Sequence, residues 1–285
     1  MRRIKDMKKL IAVFTAVIML TMIFAGTAFA AVTAGEERAV IAEDISDEEI
    51  DKVYKDFGIE RGSVKELTVT NQDERAYLEG LVSEKKIGNV AISCVYIKTL
   101  EEGEGTNITV MNINWCTEDM YKNALQTAGI TDADVIITAP RTVSGTAALT
   151  GIYKAYEDIT GEKLKEDNKE AAAEELVVTG TLAESIGSEQ AAELVKQLKE
   201  ILDKTSQMTD DEVRDQIRTI AVNINVTLTD EQVEQLLSLV RSLEKLDIAG
   251  LTETVNSVGS WFTDIGSAIS GFFKSIGDWF AGLFG

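Results

Sequence analysis

The 285-residue chain contains no histidine. The commonest general base, the commonest zinc ligand and every Ser-His or Cys-His nucleophilic pair are therefore missing. Any chemistry falls to carboxylates, lysine, tyrosine or an unaided hydroxyl. One stretch sets polar side chains in an unusual context: Pro140-Arg141-Thr142-Val143-Ser144-Gly145-Thr146-Ala147-Ala148-Leu149-Thr150-Gly151. It follows an apolar strand pattern and precedes a helical one, where backbone N–H groups and the helix dipole can hold an anion. Arg141, Ser144, Gly145 and Thr146 are the anion-binding candidates, able to receive a carboxylate or a phosphate. The same residues admit a packing account. Ser144 or Gly145 caps the helix, while Ala147, Ala148, Gly151 and Ala155 let it lie close to a sheet. Neither a phosphate loop of the G-x-x-x-x-G-K-[ST] kind nor a G-x-S-x-G elbow is present, which favours packing. No catalytic residue is assigned.

Cysteines and acids offer less. Cys94 and Cys116 lack C-x-x-C spacing, so they form no metal or redox motif. They flank the turn Glu101-Glu102-Gly103-Glu104-Gly105 and share parity, so a hairpin centred near residue 105 would put both on one face. A disulfide and two buried thiols are both open. Acid pairs such as Asp132 and Asp134, or Asp210 and Asp211, are expected by chance in so acidic a chain. No D-x-[DN]-x-[DN]-G calcium loop occurs, and neither a metal nor a cofactor is expected.

The N-terminus decides the compartment. Arg2, Arg3, Lys5, Lys8 and Lys9 precede an apolar run from Leu10 to Ala25, and Ala28-Phe29-Ala30 follows a glycine break. These are the three parts of a secretory signal, with cleavage after Ala30 and an extracellular or envelope location. Removing its five basic residues and one acid from totals of 28 and 48 leaves 23 against 47, a net charge of −24. Such a surface repels nucleic acid, which is excluded as a partner. A hydrophobic fraction of 45% is ample for a core, and the single proline leaves no Pro-rich linker.

The elements that must position these residues follow from pattern. Strands are predicted at Ala39–Ala42, Val64–Thr70 and Val135–Thr138, and Val90–Leu100 is predicted to pair with Ile108–Trp115 as a hairpin. A helix follows the capping box at Ser46 and ends near Gly58. A second, capped near Asn71, runs through Leu81 and Val82 until Gly88 stops it. Others span Glu118–Thr127 and Thr146–Tyr156. Beyond Lys163 the strand signal fades, apart from Leu176–Val178 and Val222–Val226, and helix starts recur at Ser188, Thr209 and Thr229. The expected fold is therefore α/β, a mixed sheet with packed helices, followed by a helical part and a C-terminal amphipathic helix. The divisions are a signal at 1–30, an α/β domain at 31–160, a helical domain at 161–248 and the amphipathic helix at 249–285.

The chain resembles the secreted Gram-positive bacterial proteins of the domain of unknown function 1002 family. The resemblance runs through Val69-Thr70-Asn71 with Tyr77-Leu78, Ile87-Gly88 with Ala91-Ile92-Ser93, and the long stretch Met120 to Ile130. It continues through Val135 to Pro140, Val143 to Gly151, Glu175-Leu176-Val177 and Asn225 to Asp230. It implies secretion and one intact fold, and it carries no chemistry.

The last segment is the most patterned. Leu251, Val255, Val258, Phe262, Ile265, Ile269, Phe272, Ile276, Trp279 and Leu283 recur at spacings of four and three, opposite serines, glycines and charges. Interior glycines cost such a helix about 1 kcal/mol each relative to alanine, so it needs a surface to bury against. A membrane surface, a second copy and the chain's own helical part all qualify. Phe262, Ile265, Ile269, Phe272, Ile276, Trp279 and Leu283 form the membrane or assembly face. The expectation is a non-enzymatic envelope protein using this segment to bind membrane or itself. The alternatives are a histidine-free hydrolase acting on envelope material near residues 140–151, and a membrane-active secreted factor.

Overall fold

A computed structural model describes residues 33–246, so the signal and the amphipathic C-terminal face lie outside the described residues. Strands β1 (Glu37–Ala42), β2 (Lys65–Val69), β3 (Cys94–Thr99), β4 (Thr106–Val110) and β5 (Ala133–Thr138) make one mixed sheet in the order β2-β1-β3-β5-β4. β1 runs parallel to β2, with Arg38 opposite Lys65, and β4 runs parallel to β5, with Thr106 opposite Ala133. Each parallel pair is joined through a helix, as parallel geometry requires: α1 (Asp47–Phe57) for the first and α4 (Glu118–Ala128) for the second.

The expected hairpin does not form. β3 and β4 each pair with β5, which lies between them. The intervening turn explains why. Asp132, just before β5, accepts the N–H groups of Gly103 and Gly105 at 2.8 Å each, and the Leu100 N–H bonds the Asp132 carbonyl. The turn is thus fastened to the start of β5, and the strands leave it on either side of that strand. Cys94 and Cys116 are not brought face to face by a hairpin; both are unbonded, buried thiols.

Helices cover both faces of the sheet. The Phe57 ring of α1 lies 6.0 Å from that of Tyr96, while α5 (Thr146–Thr160) lies against the preceding residue, Val95. Adjacent strand residues point to opposite faces, so α1 and α5 sandwich the sheet. Gly151 permits the approach: a Cβ there would stand 3.4 Å from both Val40 Cγ1 and Val95 Cγ2. The predicted helix after Asn71 is split. α2 (Asn71–Leu78), boxed by Thr70 and Asp73, ends before Gly80, whose φ of 83° an L side chain rarely adopts. The short α3 (Glu84–Ile87) then runs to Gly88.

The rest is helical. α6 (Glu166–Ile186) and α7 (Ser188–Lys199) are followed by the short α8 (Leu202–Thr205), then α9 (Asp210–Asn223) and α10 (Asp230–Leu243). Thr209 with Glu212 and Thr229 with Gln232 form the two predicted capping boxes. The strand-like stretches at Leu176–Val178 and Val222–Val226 are corrected. The first lies inside α6, and Val222 lies in the last turn of α9, which ends at Asn223 before Asn225 turns out at φ 60°. Strand propensity at Leu176 and Val177 loses to burial within α6, whereas Val222 is 69% exposed and has no such burial to account for it. α6 serves both cores: Ala172, Leu176 and Val177 face the sheet side, while Ala171 and Leu182 join Leu194, Leu198, Ile217, Leu236 and Val240.

Candidate functional site

The loop between β5 and α5 is stitched to the segment before α4. Asn114 N–H bonds the Val143 carbonyl at 2.9 Å and Cys116 N–H bonds that of Ser144 at 3.1 Å. Gly145 turns the chain into α5 with φ 95°, and its carbonyl accepts the Tyr121 hydroxyl at 2.5 Å. A Cβ at Gly145 would fall 2.6 Å from both Ile113 Cγ2 and Tyr121 Oη. Glycine is thus demanded twice, by conformation and by space.

Ser144, Gly145 and Thr146 are together, while Arg141 is not with them. Its guanidinium pairs with Glu49 Oε1 at 2.6 Å, half exposed, at the capping box of α1. That box and Arg141 hold the Glu49 carboxyl below its ordinary range, the Ser46 backbone N–H contributing most. Ser144 Oγ donates to the Lys86 carbonyl at 2.8 Å and lies 3.1 Å from Thr146 Oγ1. The Lys86 ammonium points elsewhere, 2.7 Å from Glu184 Oε1 and 4.9 Å over the Trp115 ring, whose Nε1 also donates to Glu184. Ser144 Oγ is thus bonded to a backbone carbonyl and a hydroxyl and makes no direct hydrogen bond to a basic side chain.

Sequence reasoning missed the centre of this cluster, Glu74. Its side chain is 1% exposed, packed between α2 and the first turn of α5. Asn71 Nδ2 donates to Oε2 at 3.1 Å, and Oε1 has no hydrogen-bond partner. Burial pushes its pKa up to about 7, against the smaller pull of Thr146, Asn71 and Arg75. The same enclosure raises the Cys116 thiol to about 12, although Tyr121 works in the other direction. A carboxyl beside Thr146 occupies the neighbourhood an anion would need, and the loop's hydroxyls are already engaged within the protein. The signal available in sequence was positional: Glu74 lies one turn before Leu78, which is 0% exposed.

A second buried polar group joins the two cores. Lys199 Nζ, at the end of α7, lies 3.0 and 3.3 Å from the Glu175 carboxylate oxygens and 2.7 Å from the Asn123 carbonyl. Thr127 of α4 donates to the same carboxylate. Neither charged side chain is more than 1% exposed, so the pair has no route to substrate and acts on packing. The acid pairs singled out earlier also have internal partners. Asp132 holds the turn, Asp134 accepts from Asn107, Asp210 pairs with Arg241 and Asp211 with Arg214.

A family model described as "Protein of unknown function (DUF1002)" matches residues 41–260. The chain belongs to this family. It is also 38% identical over 244 residues to "Uncharacterized protein YpuA" of Bacillus subtilis (strain 168), an alignment covering 85% of this chain and 83% of that one. No solved structure matches the chain. The matched span takes in β5, the 140–151 loop, Glu74 and both members of the Glu175–Lys199 pair. Among the described residues, no helix is long and apolar enough to cross a membrane.

Proposed function

We propose that this family member is exported with cleavage after Ala30 and works at the envelope as a non-enzymatic binding or structural protein. Residues 251–285 would hold it to the membrane surface, with self-association as the other use of the same apolar face. The observation carrying the non-enzymatic reading is the state of Ser144. Its proton goes to the Lys86 carbonyl while the Lys86 amine is held by Glu184, so a Ser-Lys hydrolase would have to dismantle both contacts. The basic start and Ala28-Phe29-Ala30 support export, and the spacing from Phe262 to Leu283 supports an association face. The net charge of −24 on the cleaved chain, from 23 basic against 47 acidic residues, speaks against nucleic acid as partner.

The test compares the full chain with a chain ending at residue 250, in cells that export both. The full chain is expected in the cell-associated fraction, beginning at Ala31 by N-terminal sequencing, and the shortened chain in the medium. Equal distribution of the two would remove the tail from the proposal. An intact Met1 on exported protein would replace cleavage by anchoring.

A further inference from the structure

Burial leaves Glu74 with a hydrogen-bond deficit that its surroundings do not repair. Oε1 has no partner, and Thr150, one turn beyond Thr146 on α5, likewise keeps an unpartnered, buried Oγ1. α2 packs against α5, α6 and α3, and α6 brings Lys169 over the Tyr77 ring. The groups that act on Glu74 or feel its charge are Asn71 and Arg75 of α2, Thr146 of α5, the Tyr121 hydroxyl of α4 and the Cys116 thiol just before α4. The cations nearby are engaged elsewhere. Arg75 is bound to Glu84, Glu79, Asn71 Oδ1 and the Gly88 carbonyl, Lys154 to Asp73, and Lys86 to Glu184. Arg75 also ties α2 to the 79–90 segment through Glu84 and Gly88.

We propose that Glu74 is a proton-operated catch: neutral, it seats α2 on the first turn of α5 and closes the cover over Cys116; ionised, it drives α2 and the 79–90 segment outward. A buried carboxylate oxygen without a donor is costly, and a proton or solvent relieves it. Opening also withdraws the Lys86 carbonyl from Ser144, so the cover and the loop release together. The sign follows from the raised folded pKa. The seated state binds the proton more tightly than the opened, solvated state. It is therefore most favoured below the ordinary carboxylate range and is weakened as pH rises toward about 7.

The two thiols provide the measurement on the full chain. Cys116 is buried and feels Glu74 of α2 and Lys86 of the 79–90 segment, whereas Cys94 sits in β3, receives the Ala42 N–H and feels Glu66 and Glu49 instead. Each is labelled with a maleimide across the pH range and resolved by peptide mass spectrometry, with rates corrected for the thiolate fraction of a free thiol. Cys116 labelling is expected to rise about 10-fold between about pH 6 and pH 8, from the difference between seated and open carboxyls. Cys94 should stay flat, and Glu74→Gln should stay slow and flat at both sites. A pH-independent Cys116, an equal rise at Cys94, or the same rise in Glu74→Gln would overturn the catch. Should Glu74→Gln not fold, a carboxyl NMR titration of the natural chain decides. A midpoint near 7 supports the catch, and one in the ordinary carboxylate range overturns it.

Discussion

Replacing Lys199 with methionine keeps the length of the side chain and deletes its charge. The Glu175 carboxylate then remains buried at 0% exposure with Thr127 as its remaining donor. Breaking a buried pair from one side costs about 3–5 kcal/mol, because the abandoned charge keeps its desolvation penalty. Removing both charges, as in Lys199→Met with Glu175→Leu, withdraws that penalty. The Asn123 carbonyl is not orphaned by the change, since Thr127 Oγ1 lies 3.3 Å from it. The double variant should therefore lie within about 1–2 kcal/mol of the natural chain, on either side. In urea, with a slope near 2 kcal/mol/M, the single variant should lose about 2 M of midpoint and the double variant most of that loss should regain. A single variant that loses less than about 1 kcal/mol, or a double variant as unstable as the single, would refute the account. The pair would then be solvated in solution, or α4, α6 and α7 would not share one buried network.

Other substitutions test the packing around the loop. Gly180→Ala places a Cβ 2.5 Å from Trp115 Cζ2, so the gain in helix propensity of about 1 kcal/mol should be outweighed by overpacking of about 1–3 kcal/mol; a raised melting temperature would contradict this. Ser144→Ala should cost about 1 kcal/mol through its bond to the Lys86 carbonyl, and Arg141→Ala should fall within about 1 kcal/mol of the natural chain because its pair with Glu49 is half exposed. The reverse ranking in a thermal melt would mean that Arg141 does more than pair at the surface. Gly151→Leu should destabilise more than Ser144→Ala, since its side chain would enter the contact with Val40 and Val95.

Local signals carried most of the elements, because each is written in adjacent residues. Ser46, Thr209 and Thr229 announce their helices through side chains that bond three residues on, and Gly58 and Gly129 end theirs in the left-handed region. The apolar stripe from Val233 to Leu243 is buried as its spacing predicts. Strand pairing is another matter, because which strand lies beside which depends on contacts remote in sequence. β3 and β4 are close in the chain and flank a glycine-containing turn, so a hairpin is the local answer. What decides otherwise is Asp132, 27 residues from Gly105 and 29 from Gly103, whose carboxylate and carbonyl capture the turn for β5.

The buried charges show the same limit with a different cause. Glu74 reads locally as one more acid in the first turn of a helix, a position where acids are favoured. Glu175 stands inside the run Ala171 to Val178, and Lys199 lies one turn after Val195, so both occupy faces that are otherwise apolar. An acid or a lysine on an apolar face states that a partner exists without saying where. For Glu175 the partners arrive from α7 and α4, and Lys199 and Thr127 donate to its carboxylate oxygens. For Glu74 no cation arrives: Arg75, the adjacent residue, turns to Glu84 and Gly88 instead. Two carboxyls with similar burial thus take different solutions, an ion pair in one and a shift toward the neutral acid in the other. The difference lies in where neighbouring helices put their cations, which the chain settles only on folding.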